Sequence, residues 1–228
     1  MLFDIDGTLV LTGGAGGRAM SGAFMEAFGV ADAFAGIAMP GRTDSWLLAA
    51  ALERQGIARG DPRVARYRDI YLTHLAHELV QPPPPGVPHG VLPGVRSLLD
   101  DLTSHHDDYL GLLTGNFEPA AKMKLEHFDL CRYFRCGAFG DEAADRNHLL
   151  ERALANVAAC GGPAVSSHEA VVIGDTPLDI GVAKYGHARS IGVATGSHGV
   201  DDLRAAGADV VFKDLSDTAA VVRALHAR

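Results

Sequence analysis

Residues 1–10 read MLFDIDGTLV. An apolar run carries two aspartates, Asp4 and Asp6, and gives way to Gly7 and Thr8. Residues 1–6 are predicted to form a short buried strand, and because it begins at Met1 a few residues are expected upstream. Side chains two apart in a strand share a face, so Asp4 and Asp6 are directed to the same side. Gly7 lets the chain turn sharply where the strand runs out. Taken alone, the pattern also describes a turn with capping, solvated acids. Two other strand ends decide the matter.

YLGLLTGN (109–116) is predicted as a strand ending in Thr114, Gly115 and Asn116. AVVIGDTPLD (170–179) is predicted as a strand ending in Gly174 and Asp175, with Asp179 four residues on. From Leu92 onward helices and strands alternate. Helices are expected at 93–105, 119–128, 145–159, 177–186, 201–207 and 216–228, the last with Ser216 as its cap; further strands are expected at 133–141, 190–196 and 209–214. Continuous apolar strands alternating with helices mean a parallel sheet covered on both faces, and such sheets bind ligands beyond the carboxyl ends of their strands.

Residues 18–80 read differently. AMSGAFMEAF, DSWLLAAALERQ and VARYRDIYLTHLAHELV carry apolar residues at three-to-four spacing, as helices do. The stretch TGGAGGRAM before them matches no phosphate-loop pattern and is expected to be a flexible linker. QPPPPGVPHG after them is expected to be a stiff connector, with a polyproline ligand as the alternative. The organisation is an α/β core, residues 1–12 and 92–228, split by an all-helical insertion over 13–91.

With 228 residues, 47% hydrophobic and 21% charged, the chain can bury a substantial core without staples. A net charge of −8 excludes a nonspecific nucleic-acid binder and a protein held on an anionic membrane. No apolar run reaches spanning length, and no basic-then-apolar signal opens the chain. Cys131, Cys136 and Cys160 match no zinc spacing, and so sparse a set points to the cytoplasm. The eleven histidines, His105 and His106 among them, show no metal-ligand spacing and are expected at the surface.

Carboxylates gathered at one sheet edge repel each other and call for a cation. An all-oxygen donor set of this kind suits Mg²⁺, which bridges readily to a phosphate. In that setting Asp4 can act as a nucleophile toward phosphorus and Asp6, one step further out, as an acid and base. Gly7, Thr8, Thr114, Gly115 and Asn116 would offer N–H and O–H groups to phosphate oxygens. A phosphate facing carboxylates also needs a fixed positive charge. Of the four lysines, Lys124 shares the inward stripe of its helix with Ala121, Leu125 and Phe128, whereas Lys122 neighbours Glu118 on the polar face. Arg146 is the alternative cation.

FDIDGT, LLTGN, a helical lysine and VIGDTPLD, in this order, resemble the haloacid dehalogenase superfamily, and within it the phosphoglycolate-phosphatase-like members. The resemblance covers nearly the whole chain. It implies a Rossmann-like core with a C1 helical cap. It implies that Asp4 attacks phosphorus and that Asp6 protonates the leaving group and then activates water. It also implies Mg²⁺ held by Asp4, the main-chain carbonyl of Asp6 and Asp175, with Asp179 in support. One departure stands out: many such members carry Lys-Pro where this chain has Arg146-Asn147, so either Lys124 or Arg146 does that work.

The second aspartate of the first motif argues against a dehalogenase, and an insertion without lysine argues against imine chemistry. A Mg²⁺-dependent phosphatase is expected. A sugar-phosphate mutase is the alternative within the family, and a non-catalytic binding module the alternative outside it. The loop MPGRTDSW (39–46) is where specificity is expected, through Arg42 and Thr43, with Arg42 available to a carboxylate or second phosphate. The expected partner is a small phosphorylated acid or sugar phosphate, phosphoglycolate among the candidates, acted on by a monomer or homodimer.

Overall fold

The expected first strand shrinks to two residues, β1 (Leu2–Phe3), paired with Gly111–Leu112 on one side and Val172–Ile173 on the other. One further bond, from the Asp4 N–H to the Ile173 carbonyl (2.9 Å), carries the pairing to the nucleophile candidate. The computed structural model describes residues 1–104, 108–141 and 145–227; His105 and His106 lie outside the described residues.

After β1 the chain forms β2 (Val10–Thr12), then the helices α1 (Ala15–Phe28), α2 (Asp44–Arg54) and α3 (Val64–Leu79), and returns through β3 (His89–Val91). There follow α4 (Val95–Ser104), β4 (Gly111–Leu113), α5 (Glu118–His127), β5 (Gly137–Ala138), α6 (Leu149–Ala159), β6 (Val171–Gly174), α7 (Pro177–Tyr185), β7 (Arg189–Val193), α8 (Val200–Ala205), β8 (Val210–Phe212) and α9 (Thr218–His226). The parallel sheet has the order β5-β4-β1-β6-β7-β8. The chain runs outward from β1 on one side, then crosses back to β6 on the other. β1 therefore sits at the switch point, where the loops leaving adjacent strands part and open a crevice.

The alternation of strand side chains divides the core. Phe3, Leu112 and Ile173 face the layer of α4, α5 and α9, packing with Leu98, Leu102, Leu125 and Val221. Leu2, Leu113 and Val172 face α6 and α7, packing with Leu150, Ala153, Val157 and Val182. Both faces are covered, which is why these strands read as unbroken apolar runs.

Several local expectations are corrected. The glycine-rich stretch is no linker: Gly13 and Gly14 make the turn out of β2, and Gly16 and Gly17 lie inside α1. Gly16 faces Lys124, and an added Cβ would make an ordinary contact with its Nζ at 3.4 Å. The strand expected over 133–141 shrinks to β5, preceded by a 3₁₀ turn at Cys131–Tyr133. The helix expected from 145 opens with a 3₁₀ turn, Arg146–His148, before α6. The final helix is capped by Asp217, whose side chain accepts from the Ala220 N–H (3.0 Å), and not by Ser216. Cys136 and Cys160 form a disulfide between β5 and the end of α6, leaving Cys131 free.

The strands that enter and leave the helical insertion pair antiparallel, Val10 with Val91 and Thr12 with His89. The three helices bury Phe24, Phe28, Tyr67, Tyr71 and Leu75 among themselves, and Phe117 and Ala120 at the start of α5 join that cluster. The insertion is thus tethered by a two-stranded ribbon at one point and packed on α5 at another. Among the described residues no helix is long and apolar enough to cross a membrane.

Candidate active site

The strand ends converge on a cavity of about 590 Å³ between the sheet and the helical insertion. Its floor holds Asp4, Asp6, Thr114, Asn116 and Asp175, together with Lys124 and Arg146. Gly7 is required beside them. Its φ of +86° is in the left-handed region, and a Cβ there would stand 2.4 Å from the Asp175 carboxylate.

The two aspartates of the first strand end have different surroundings. Asp4 is buried at 5% exposure, whereas the Asp6 side chain is 41% exposed to the cavity. Lys124 donates to Asp6 Oδ2 (2.7 Å) and to Asn116 Oδ1 (2.6 Å). Asn116 in turn donates through Nδ2 to Asp6 Oδ2 (2.8 Å) and to the Thr114 hydroxyl (2.8 Å). The inward stripe of α5 thus delivers Lys124 to the outer carboxylate, while Lys122 pairs with Glu118 on the surface.

Arg146 serves the inner carboxylate. The 3₁₀ turn ahead of α6 is capped by the Asp145 side chain and swings Arg146 over β1. Its Nη2 donates to Asp179 Oδ1 and lies 3.5 Å from Asp4 Oδ1, and its Nη1 donates to the Gly41 carbonyl (2.7 Å). Its Nε is buried with no partner among the described residues. A buried, unpartnered guanidinium donor beside a cavity is suited to an oxyanion. Lys124 and Arg146, alternatives by sequence, both line the site on different carboxylates.

Asp4, Asp175 and Asp179 each present an oxygen, all within 4.8 Å of one another. Burial and the neighbouring carboxylates push the Asp4 and Asp175 carboxyls well above the ordinary range, with Arg146 opposing the rise at Asp4. Asp179 is held by Thr176, whose N–H (3.0 Å) and hydroxyl (2.7 Å) both donate to its Oδ2 at the start of α7. The Thr8 hydroxyl donates to Asp175 Oδ1 (3.2 Å). Three buried carboxylates presenting hard oxygen donors to one point fit a divalent cation such as Mg²⁺.

The loop over 39–46 forms part of the cavity wall. Arg42 is exposed, with Cζ 4.2 Å from the centroid of the Trp46 ring. Thr43 is buried and caps α2, accepting from the Trp46 N–H (3.1 Å), so its hydroxyl is engaged locally.

The residue that sequence reading passed over is Asp44. It looks like an ordinary acid in the first turn of a helix, yet it is buried, and its Oδ2 accepts from the Phe117 N–H (2.8 Å) while its own N–H donates to the Gly115 carbonyl (2.7 Å). Burial pushes its carboxyl up to about 7, against the opposing charge of Lys124. Such a group favours the folded state while protonated. That contribution is full below its unfolded value of ~4 and is lost as pH rises through 7. Metal-free protein should therefore lose stability between pH 5 and pH 8, Asp44 contributing up to a few kcal/mol. Asp44→Asn, which keeps an acceptor for Phe117, should flatten that decline in urea unfolding. An identical pH slope in the variant would show that Asp44 does not carry it.

Residues 1–184 match the family model described as haloacid dehalogenase-like hydrolase. Among curated proteins the chain is 30% identical over 164 residues to "Probable phosphatase IndB" of Dickeya dadantii (strain 3937). That match covers 72% of this chain but spans only 65% of the relative's length. Among solved structures, a hydrolase from Pseudomonas syringae superposes with a TM-score of 0.70 at 21% identity, covering 99% of this chain and 98% of that one. A predicted phosphoglycolate phosphatase from Haemophilus somnus 129pt gives a TM-score of 0.68 at 15% identity, with 96% of each chain covered. At these identities the two structures establish a common fold.

Proposed function

Because the chain belongs to the haloacid dehalogenase-like hydrolase family, we propose that it is a Mg²⁺-dependent phosphatase that hydrolyses a small-molecule phosphomonoester through an aspartyl-phosphate. The observation that carries this reading is the pairing of two differently placed aspartates with two cations: buried Asp4 beside Arg146, and exposed Asp6 beside Lys124.

In this reading a carboxylate oxygen of Asp4 forms a bond to phosphorus as the bond from phosphorus to the ester oxygen breaks. Asp6 gives its proton to the departing alcohol. Asp6 then takes a proton from water as the water oxygen attacks phosphorus, and the bond between Asp4 and phosphorus breaks to release inorganic phosphate. Arg146, Lys124, Thr114 and the N–H groups around Gly7, Thr8, Gly115 and Asn116 hold the phosphoryl oxygens. Asp4, the main-chain carbonyl of Asp6 and Asp175 would hold Mg²⁺, supported by Asp179. The ion would supply charge neutralisation between the nucleophile and the phosphate. Residues 13–91 act as a cap over the cavity and exclude bulk water.

The test is phosphate release from a panel of phosphomonoesters with Mg²⁺ and with EDTA. Release is expected with the metal, falling at least ~100-fold on chelation. Isomerisation of hexose phosphates without release would replace the phosphatase reading with a mutase. No turnover of either kind would favour a binding module.

A further inference from the structure

The cavity has two unlike walls. The floor is the polar set of strand ends already described. The opposite wall is built by Leu11, Met20, Met39, Leu47, Tyr71 and Val87, drawn from the ribbon, the three-helix insertion and the connector. Met20, Leu47 and Tyr71 are anchored in the buried core of the insertion, so their part of this surface is fixed by packing.

Charged groups on that wall are few. Asp44 Oδ2 is taken by the Phe117 N–H, and the Arg42 guanidinium lies on the Trp46 ring. The first 121 residues contain no lysine. A polyol seated against these six apolar side chains would leave several of its hydroxyls without partners, at a cost of ~1–3 kcal/mol for each. A hydrocarbon or aromatic group would instead bury apolar surface against thioether, aliphatic and aromatic carbon.

Resting on the phosphatase reading above, we infer that the leaving group is predominantly apolar: the substrate is the phosphomonoester of an alkyl or aryl alcohol. The phosphoryl group lies on the strand ends and the hydrocarbon lies along the wall of the insertion. The volume supports this, since about 590 Å³ lies within the range of sites that enclose a whole organic ligand, well beyond what a two-carbon acid fills. The class departs from the phosphorylated acid or sugar phosphate expected from sequence.

The experiment is a series of n-alkyl phosphates, ethyl, butyl and hexyl, with glycerol phosphate as the polyol, assayed with Mg²⁺ for wild type and Met39→Asn. Alkyl esters have nearly equal leaving-group acidity, so the series reads binding of the chain and not chemical reactivity. kcat/KM is expected to rise about fourfold per methylene over the first members. Glycerol phosphate should fall at least ~10-fold below butyl phosphate. In Met39→Asn the slope with chain length should flatten. A flat or falling series, or a preference for glycerol phosphate, overturns the apolar class and leaves the phosphatase reading standing. An unchanged slope in Met39→Asn overturns the assignment to this wall. Release from none of the esters overturns the phosphatase reading itself.

Discussion

Asp4→Asn is expected to lower phosphate release by at least ~10⁴-fold with the best ester of the panel. The amide is nearly the same size and keeps the main-chain bond from the Asp4 N–H to the Ile173 carbonyl, so the strand end should stand. What disappears is the nucleophilic oxygen. Stability should move the other way. Asp4 is buried, and burial and Asp179 disfavour its charge, so the neutral variant should unfold at an equal or higher temperature without metal near neutral pH. The pairing of lost turnover with retained or raised stability separates a chemical role from a structural one. Residual turnover within 10-fold of wild type would remove Asp4 as the nucleophile.

Arg146→Met should have the second largest effect, and on both quantities. Its guanidinium is the partner of Asp179 and lies beside Asp4, and both carboxylates are buried. Deleting one member of a buried ionic cluster leaves uncompensated charge, at a cost of ~3–5 kcal/mol. Turnover should fall ~10²–10³-fold, as when a preorganised donor to a developing oxyanion is lost. The stability loss should shrink as pH falls below 7, where the raised Asp4 carboxyl takes up its proton and needs no counter-charge. Arg146→Lys should recover only part of both effects. A single ammonium cannot reach Asp179, Asp4 and the Gly41 carbonyl together as the planar fork does. Wild-type stability at pH 7 in Arg146→Met would contradict the ionic cluster, and wild-type turnover would leave Lys124 as the phosphate-binding cation.

Much of this site is legible in the sequence because the fold puts its chemistry where local patterns change. A strand buried on both faces must be apolar throughout, so the first polar residues after it mark the sheet edge. Asp4, Thr114 and Asp175 stand at such transitions. Lys124 is legible for a related reason: a lysine on the apolar stripe of a helix is either misplaced or paired inside, and here it meets Asp6 and Asn116.

The rest was out of reach of local pattern. Arg146 sits in a 3₁₀ turn, and no periodicity says which way such a turn throws its side chain. Its partners, Gly41, Asp4 and Asp179, lie 105, 142 and 33 positions away in the chain. Asp44 reads as a routine helix-start acid, and only the docking of α2 against the turn before α5 makes it a buried carboxyl in the cavity wall. The glycine-rich stretch reads as a linker because glycine disfavours helix in isolation, whereas the packing of α1 against the other helices of the insertion makes Gly16 and Gly17 helical. The sequence by itself determined the alternating parallel sheet, the place of the helical insertion and the acids at the strand ends, since each rests on short-range periodicity and its interruption. Which cation serves which carboxylate, and which apolar side chains face them across the cavity, were decided by tertiary packing, because those relations join residues that only the folded chain brings within a few ångströms of each other.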